Sequence, residues 1–243
     1  MLELQNISWE TPDGKLVIDN ISLAVPDKRL IALTGPNGGG KTTLAKIMAG
    51  IIKPSAGRVL LDGNDITELD VTERARAGIG FAFQQPVRFK GLTVRMLLEI
   101  ASGEKLSEGR LCDVMASVGL CARDYIDREV NTTLSGGEMK RIEIATVLAR
   151  ASRISIFDEP EAGIDIWSFA GLIKTFNAMR QSLDRTLIIV SHQERILSIA
   201  DEIVLLADGK LMRRGNGSEM LTDLVRSGDT GTVCAKKEAV ING

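Results

Sequence analysis

Ten consecutive residues, Thr34-Gly35-Pro36-Asn37-Gly38-Gly39-Gly40-Lys41-Thr42-Thr43, carry the chemistry most easily read from this chain. Gly35, Gly40, Lys41 and Thr42 stand at the fixed places of the pattern G-x-x-x-x-G-K-[ST]. Glycines let backbone N–H groups turn inward on phosphates, and a helix starting near Lys41 aims its positive end at them. Lys41 is expected to reach the terminal phosphates and the Thr42 hydroxyl to ligate Mg²⁺, with Pro36, Asn37, Gly38, Gly39 and Thr43 completing the cradle. A glycine-rich turn without a ligand is the alternative. The apolar run Leu30–Leu33 before the loop and the helical pattern Leu44–Ala49 after it argue against that.

Other reactive residues fall where apolar runs end. Ile154–Phe157 is followed by Asp158 and Glu159. In an α/β sheet ligands bind at the carboxyl ends of strands, so Asp158 is expected in the Mg²⁺ shell, through water, and Glu159 as general base toward the attacking water. Without the phosphate loop the same pair reads as a solvated strand end. His192 is the single histidine, after Leu187–Ser191, and could hydrogen-bond the terminal phosphate; a structural role is its alternative. Gln84 follows Ile79–Phe83, where its amide could touch Mg²⁺ or the water; its alternative is a surface glutamine. Ser135, Gly136 and Gly137, flanked by Leu134 and Glu138, open a helix and offer a second anion site. One chain has no second phosphate for that site, so a twofold dimer is expected, each copy closing on the nucleotide of the other. An ordinary Ser-capped helix is the competing reading. Asp165, at the end of Ala162–Asp165, would cross the dimer seam. Trp9 is a candidate to stack on adenine, or equally a core or partner-facing residue.

These side chains need an α/β scaffold. Short apolar runs separated by helices predict a mainly parallel sheet covered on both faces. The first thirty residues predict short strands with turns, Lys15–Ile18 and Ile21–Val25 among them. A short helix over Thr72–Ala77 takes Asp70 or Thr72 as cap, and a longer one spans Glu138–Ala149. Apolar residues at helical spacing mark 85–134 as a helical insertion. One domain over 1–226, with core 1–84 and 135–226, is expected, followed by a loose polar tail, 227–243.

The chain has 243 residues, 44% of them hydrophobic, with 30 basic against 32 acidic side chains. A net charge of −2 argues against nucleic acid as partner. No run approaches the roughly 18 apolar residues of a membrane span, so any membrane part would be supplied by another chain. Cys112, Cys121 and Cys234 match no zinc spacing. Their odd number and the lack of an export signal predict a cytoplasmic protein.

Together these motifs resemble the ATP-binding cassette ATPases, P-loop NTPases. That resemblance implies ATP and Mg²⁺, with Gly35–Thr43 as Walker A, Gln84 as the Q-loop glutamine, Leu134–Glu138 as the signature, Ile154–Glu159 as Walker B, Asp165 in the D-loop and His192 as the switch histidine. Glu159–Ile166, Gly136–Arg141 and Gln84–Gly91 are similar to SufC, the cassette ATPase of iron–sulfur cluster assembly. This implies a SufB/SufD-type scaffold as partner and an ATP-dependent homodimer. The alternative is the ATP-binding subunit of a membrane transporter, and a module that senses ATP without turnover is a third reading. Lys140 on the signature helix is a candidate to pair with Glu159 and restrain that base. An exposed pair would contribute little, so structural decoration stands beside it.

Overall fold

The computed structural model describes residues 1–85, 87–131, 133–181 and 185–226. The expected tail 227–243, with Cys234, lies outside the described residues. The chain begins with β1 (Leu2–Glu10), β2 (Leu16–Val25) and β3 (Leu30–Thr34), then α1 (Lys41–Met48). Next come β4 (Ala56–Leu61), β5 (Asn64–Asp65), α2 (Val71–Arg76) and β6 (Ile79–Ala82). Helices follow: α3 (Val94–Ser102), α4 (Glu108–Ser117), α5 (Ala122–Tyr125) and α6 (Gly136–Arg150). The rest is β7 (Ile154–Asp158), α7 (Ile166–Gln181), β8 (Thr186–Val190), α8 (Glu194–Leu197), β9 (Glu202–Ala207), β10 (Lys210–Asn216) and α9 (Gly217–Arg226).

Two sheets form. One is antiparallel with order β2-β1-β4-β5, and the other runs β10-β9-β3-β8-β7-β6. In the second, only the β9–β10 pair is antiparallel; β6, β7, β8, β3 and β9 run parallel. The α/β class with a mainly parallel sheet is what the pattern of runs predicts, and the strands expected in the first thirty residues pair antiparallel. The two expected strands over residues 15–25 are one strand. Asn20 takes a positive φ of 51°, and the register against β1 shifts there, so the polar Asp19-Asn20 pair is a bulge within β2, not a loop.

Period-two alternation divides the core. Ile31, Leu33, Ile156, Ile188, Val190 and Val204 face a cluster that α1 shares with the antiparallel sheet. Leu30, Ala32, Phe157, Leu187, Ile189 and Ile203 face the cluster built with α3–α7. The parallel strands are thus buried on both sides, which is why they read as unbroken apolar runs.

Helix α1 is held from behind. Buried Arg74 of α2 donates to the carbonyls of Ile47 and Met48 at its carboxyl end, and to those of Thr67 and Leu69. Asp70 and Glu73 place α2 through a reciprocal capping box, the first of the two expected caps.

Candidate functional site

Parallel pairing aligns four strand ends. Leu33 lies opposite Val190, Val190 opposite Asp158, and Phe157 opposite Ala82. The loops after β3, β6, β7 and β8 therefore leave one edge of the sheet together, and they carry Gly35–Thr43, Gln84, Glu159 and His192.

The phosphate loop is shaped by its glycines. At Gly35, with φ 136°, a Cβ would sit 1.9 Å from the Leu206 carbonyl oxygen, so β9 backs the loop. Gly40 at φ 94° is the N-cap of α1 and supplies no side-chain cap. No acid stands in the first turn, so the amino end of α1 is open to an anion. Lys41 folds back and donates to the Gly35 and Pro36 carbonyls, both at 2.9 Å. Burial lowers its pKa, and the Glu159 and Asp158 charges oppose that.

Thr42 Oγ1 donates to Asp158 Oδ1 at 2.9 Å. Asp158 is 1% exposed, and its Oδ2 is buried without a hydrogen-bond partner. Burial pushes its pKa up, against the Thr42 hydrogen bond. A hydroxyl and an unpaired carboxylate oxygen side by side at the mouth of a phosphate cradle fit a hard divalent cation such as Mg²⁺. Gln84 is turned elsewhere: its Nε2 donates to Glu159 Oε2 at 2.5 Å. Its contact in the structure is thus the acid beside the cation site. Glu159 itself takes φ 44°, and its N–H reaches the Val190 carbonyl at 2.9 Å, which ties it to the end of β8.

Ser135 caps α6. Its Oγ accepts from the Glu138 N–H at 3.2 Å, and Glu138 Oε2 accepts from the Ser135 N–H at 2.7 Å. Tyr125 donates to the other Glu138 oxygen, and this bond holds the Glu138 carboxyl below its usual range. The reading of Ser135 as an ordinary helix cap therefore describes its contacts in the single chain, and the Gly136 and Gly137 N–H groups are what an outside anion would meet. A Cβ on Gly137 would lie 3.1 Å from the Gly163 carbonyl, so the start of α6 rests on the turn before Asp165. Asp165 accepts from the N–H groups of Trp167 and Ser168, both at 3.0 Å. Trp167 is 85% exposed. His192 lies exposed just beyond β8. Trp9 is half-buried against the inter-sheet core, opposite Ile18.

One expected contact is absent. Lys140 does not pair with Glu159. Fully buried, its Nζ donates to the Phe83 carbonyl, to that of Gln84 at 3.3 Å and to Glu143 Oε2 at 3.2 Å. The side chain runs beneath the peptide at the end of β6, with Gln84 between it and the acid. Sequence reading also missed Glu143 and Glu161. Glu161 accepts from Ser191 Oγ at 2.6 Å, next to His192, and burial raises its pKa. Glu143 also meets the Phe83 N–H sixty residues earlier, and Glu161 meets Ser191 thirty residues later.

Comparisons with known proteins agree with this geometry. A family model described as ABC transporter matches residues 18–162. The chain is similar to the uncharacterised ABC transporter ATP-binding protein MJ0035 of Methanocaldococcus jannaschii, 35% identical over 212 residues and 84% of each chain. It is similar to the structure of cbiO1 of Clostridium perfringens, part of the ABC transporter complex cbiONQ, with TM-score 0.74, 28% identity and 93% of each chain covered. Its fold also matches the dimeric structure of MJ0796, a bacterial ABC transporter cassette, with TM-score 0.80, 24% identity, and 89% of this chain and 98% of that one covered.

Proposed function

The chain belongs to the ABC transporter family of ATP-binding cassettes, and from that premise we propose that it is an ATP-hydrolysing subunit that closes on a second copy and moves a partner protein. The observation that carries this reading is the join at the strand ends: Thr42 on Asp158, with an orphaned Asp158 oxygen, and Gln84 on Glu159. Lys41 exchanges the Gly35 and Pro36 carbonyls for the terminal phosphates, which the open end of α1 also binds. Thr42 and Asp158 hold Mg²⁺, which supplies neutralisation of charge on the terminal phosphates. Glu159, oriented by Gln84, accepts the proton of a water whose oxygen attacks the terminal phosphorus; the bond to the bridging oxygen breaks, giving ADP and phosphate. His192 contacts the leaving phosphate. In trans, Ser135 and the N–H groups of Gly136 and Gly137 complete the site.

The partner is proposed to be a membrane component of a transporter. No helix among the described residues is long and apolar enough to cross a membrane. An apolar groove of about 160 Å³, lined by Phe83, Val87, Phe89, Leu97, Ile100 and Met139, offers a seat for an apolar segment of another chain. The names of the relatives favour this over a SufB/SufD-type scaffold, which rests on the resemblance of Gln84–Gly91, Gly136–Arg141 and Glu159–Ile166. Purification of the native complex separates the two: an integral membrane protein supports the first, a water-soluble scaffold the second.

Glu159→Gln tests the chemistry. It is expected to slow phosphate release by about 10²–10⁴-fold while nucleotide affinity stays within a factor of about three. A rate close to that of the unaltered protein would remove Glu159 from the role of base.

A further inference from the structure

The side chains of Lys140 and Glu143, one turn apart on α6, hold both backbone groups of one residue, Phe83, just past the end of β6. The Phe83 N–H donates to Glu143 Oε1 at 2.6 Å, and the Phe83 carbonyl accepts from Lys140 Nζ. The two side chains are also ion-paired, 0% and 13% exposed. The next residue is Gln84, whose amide lies on Glu159. The Phe83 side chain enters the apolar groove. Residue 83 thus meets the groove with its side chain, α6 with both backbone groups, and the acid through its neighbour.

A buried ion pair is a poor stabiliser, since apolar residues of similar volume usually serve a core as well or better. Here the charges also face main-chain groups that no strand satisfies, because β6 ends at Ala82. Burial raises the Glu143 pKa and the Lys140 charge opposes it, so the ammonium favours keeping the acid ionised.

We infer that Lys140 and Glu143 are positioning residues for hydrolysis: they clamp the Phe83 backbone on α6 through its N–H and its carbonyl and so fix Gln84 against Glu159. This rests on the proposed ATPase reading. Removing the clamp leaves the phosphate loop untouched, so binding and turnover separate.

The double variant Lys140→Met, Glu143→Leu removes both charges together and leaves none unpaired. Its kcat is expected to fall about tenfold with KM for ATP within twofold. In a Gln84→Ala background the same pair of changes should alter kcat by less than twofold, because what the clamp positions is already gone. In the nucleotide-free protein, amide exchange in the segment covering residue 83 should speed up at least tenfold, with α1 unchanged. Equal losses with and without Gln84, a rise in KM matching the fall in kcat, or unchanged exchange at residue 83 would each overturn the inference. If the double variant does not fold, single changes decide. Lys140→Gln keeps a donor for the carbonyl and should stay within threefold of wild type, while Lys140→Met loses about tenfold; equal rates overturn the clamp. A wild-type protein that releases no phosphate yet shows the exchange effect would sink the ATPase reading and leave the clamp standing.

Discussion

Helices α1 and α6 both carry a candidate anion contact at the amino end, and the two ends are built differently. The α1 terminus has glycine as N-cap, no side-chain cap and no acid in its first turn. The α6 terminus is closed by its own residues: Ser135 and Glu138 form a capping box, and the acid is held ionised by Tyr125. A helix terminus left open seeks an anion, while one already satisfied has only its remaining N–H groups to offer. On the proposed reading, α1 binds phosphates within one chain while α6 adds a weaker, secondary contact.

The largest effect is expected from Lys41→Ala. Loss of its ammonium from the open end should weaken ATP binding by the dilute chain more than about hundredfold, roughly 2.7 kcal/mol, as read by equilibrium titration. Ser135→Ala should leave that affinity within about twofold and lower hydrolysis by about tenfold, with a modest loss of stability from the missing cap. If Ser135→Ala weakens binding by the dilute chain as much as Lys41→Ala does, the two termini are not distinct and the comparison fails.

The smallest effect concerns acid. The Glu138 pKa is depressed in the fold, so its contribution to stability is present above the unfolded carboxylate value and is lost as pH falls through the lower folded value. Glu138→Gln should therefore narrow the difference between melting temperatures at pH 7 and pH 3. An unchanged difference would show that the carboxylate adds nothing to the capping of α6.

The sheet and the phosphate loop were legible because their signals are local. β3, β7 and β8 are unbroken apolar runs, and Gly35, Gly40, Lys41 and Thr42 are spaced by the loop they form. The α6 capping box was equally legible, since Ser135 and Glu138 stand three apart; it is the Ser-capped helix that stood as the competing reading. The clamp was not legible. Lys140 and Glu143 bind a peptide about sixty residues earlier through its backbone, and a backbone partner leaves no trace in residue types. Glu161 escaped for a related reason: its partner Ser191 lies just past the end of β8, thirty residues on. The single strand β2 was divided because the bulge at Asn20 breaks its alternation.

Arg74 has a consequence of its own. Four main-chain carbonyls grip its guanidinium at the rear of the phosphate helix. A carbonyl has no proton to gain under mild acid, and a buried contact is little screened by salt. Whatever nucleotide arrival does at the front of α1, its back end remains moored through swings of pH and ionic strength that would loosen the ion pairs on the surface.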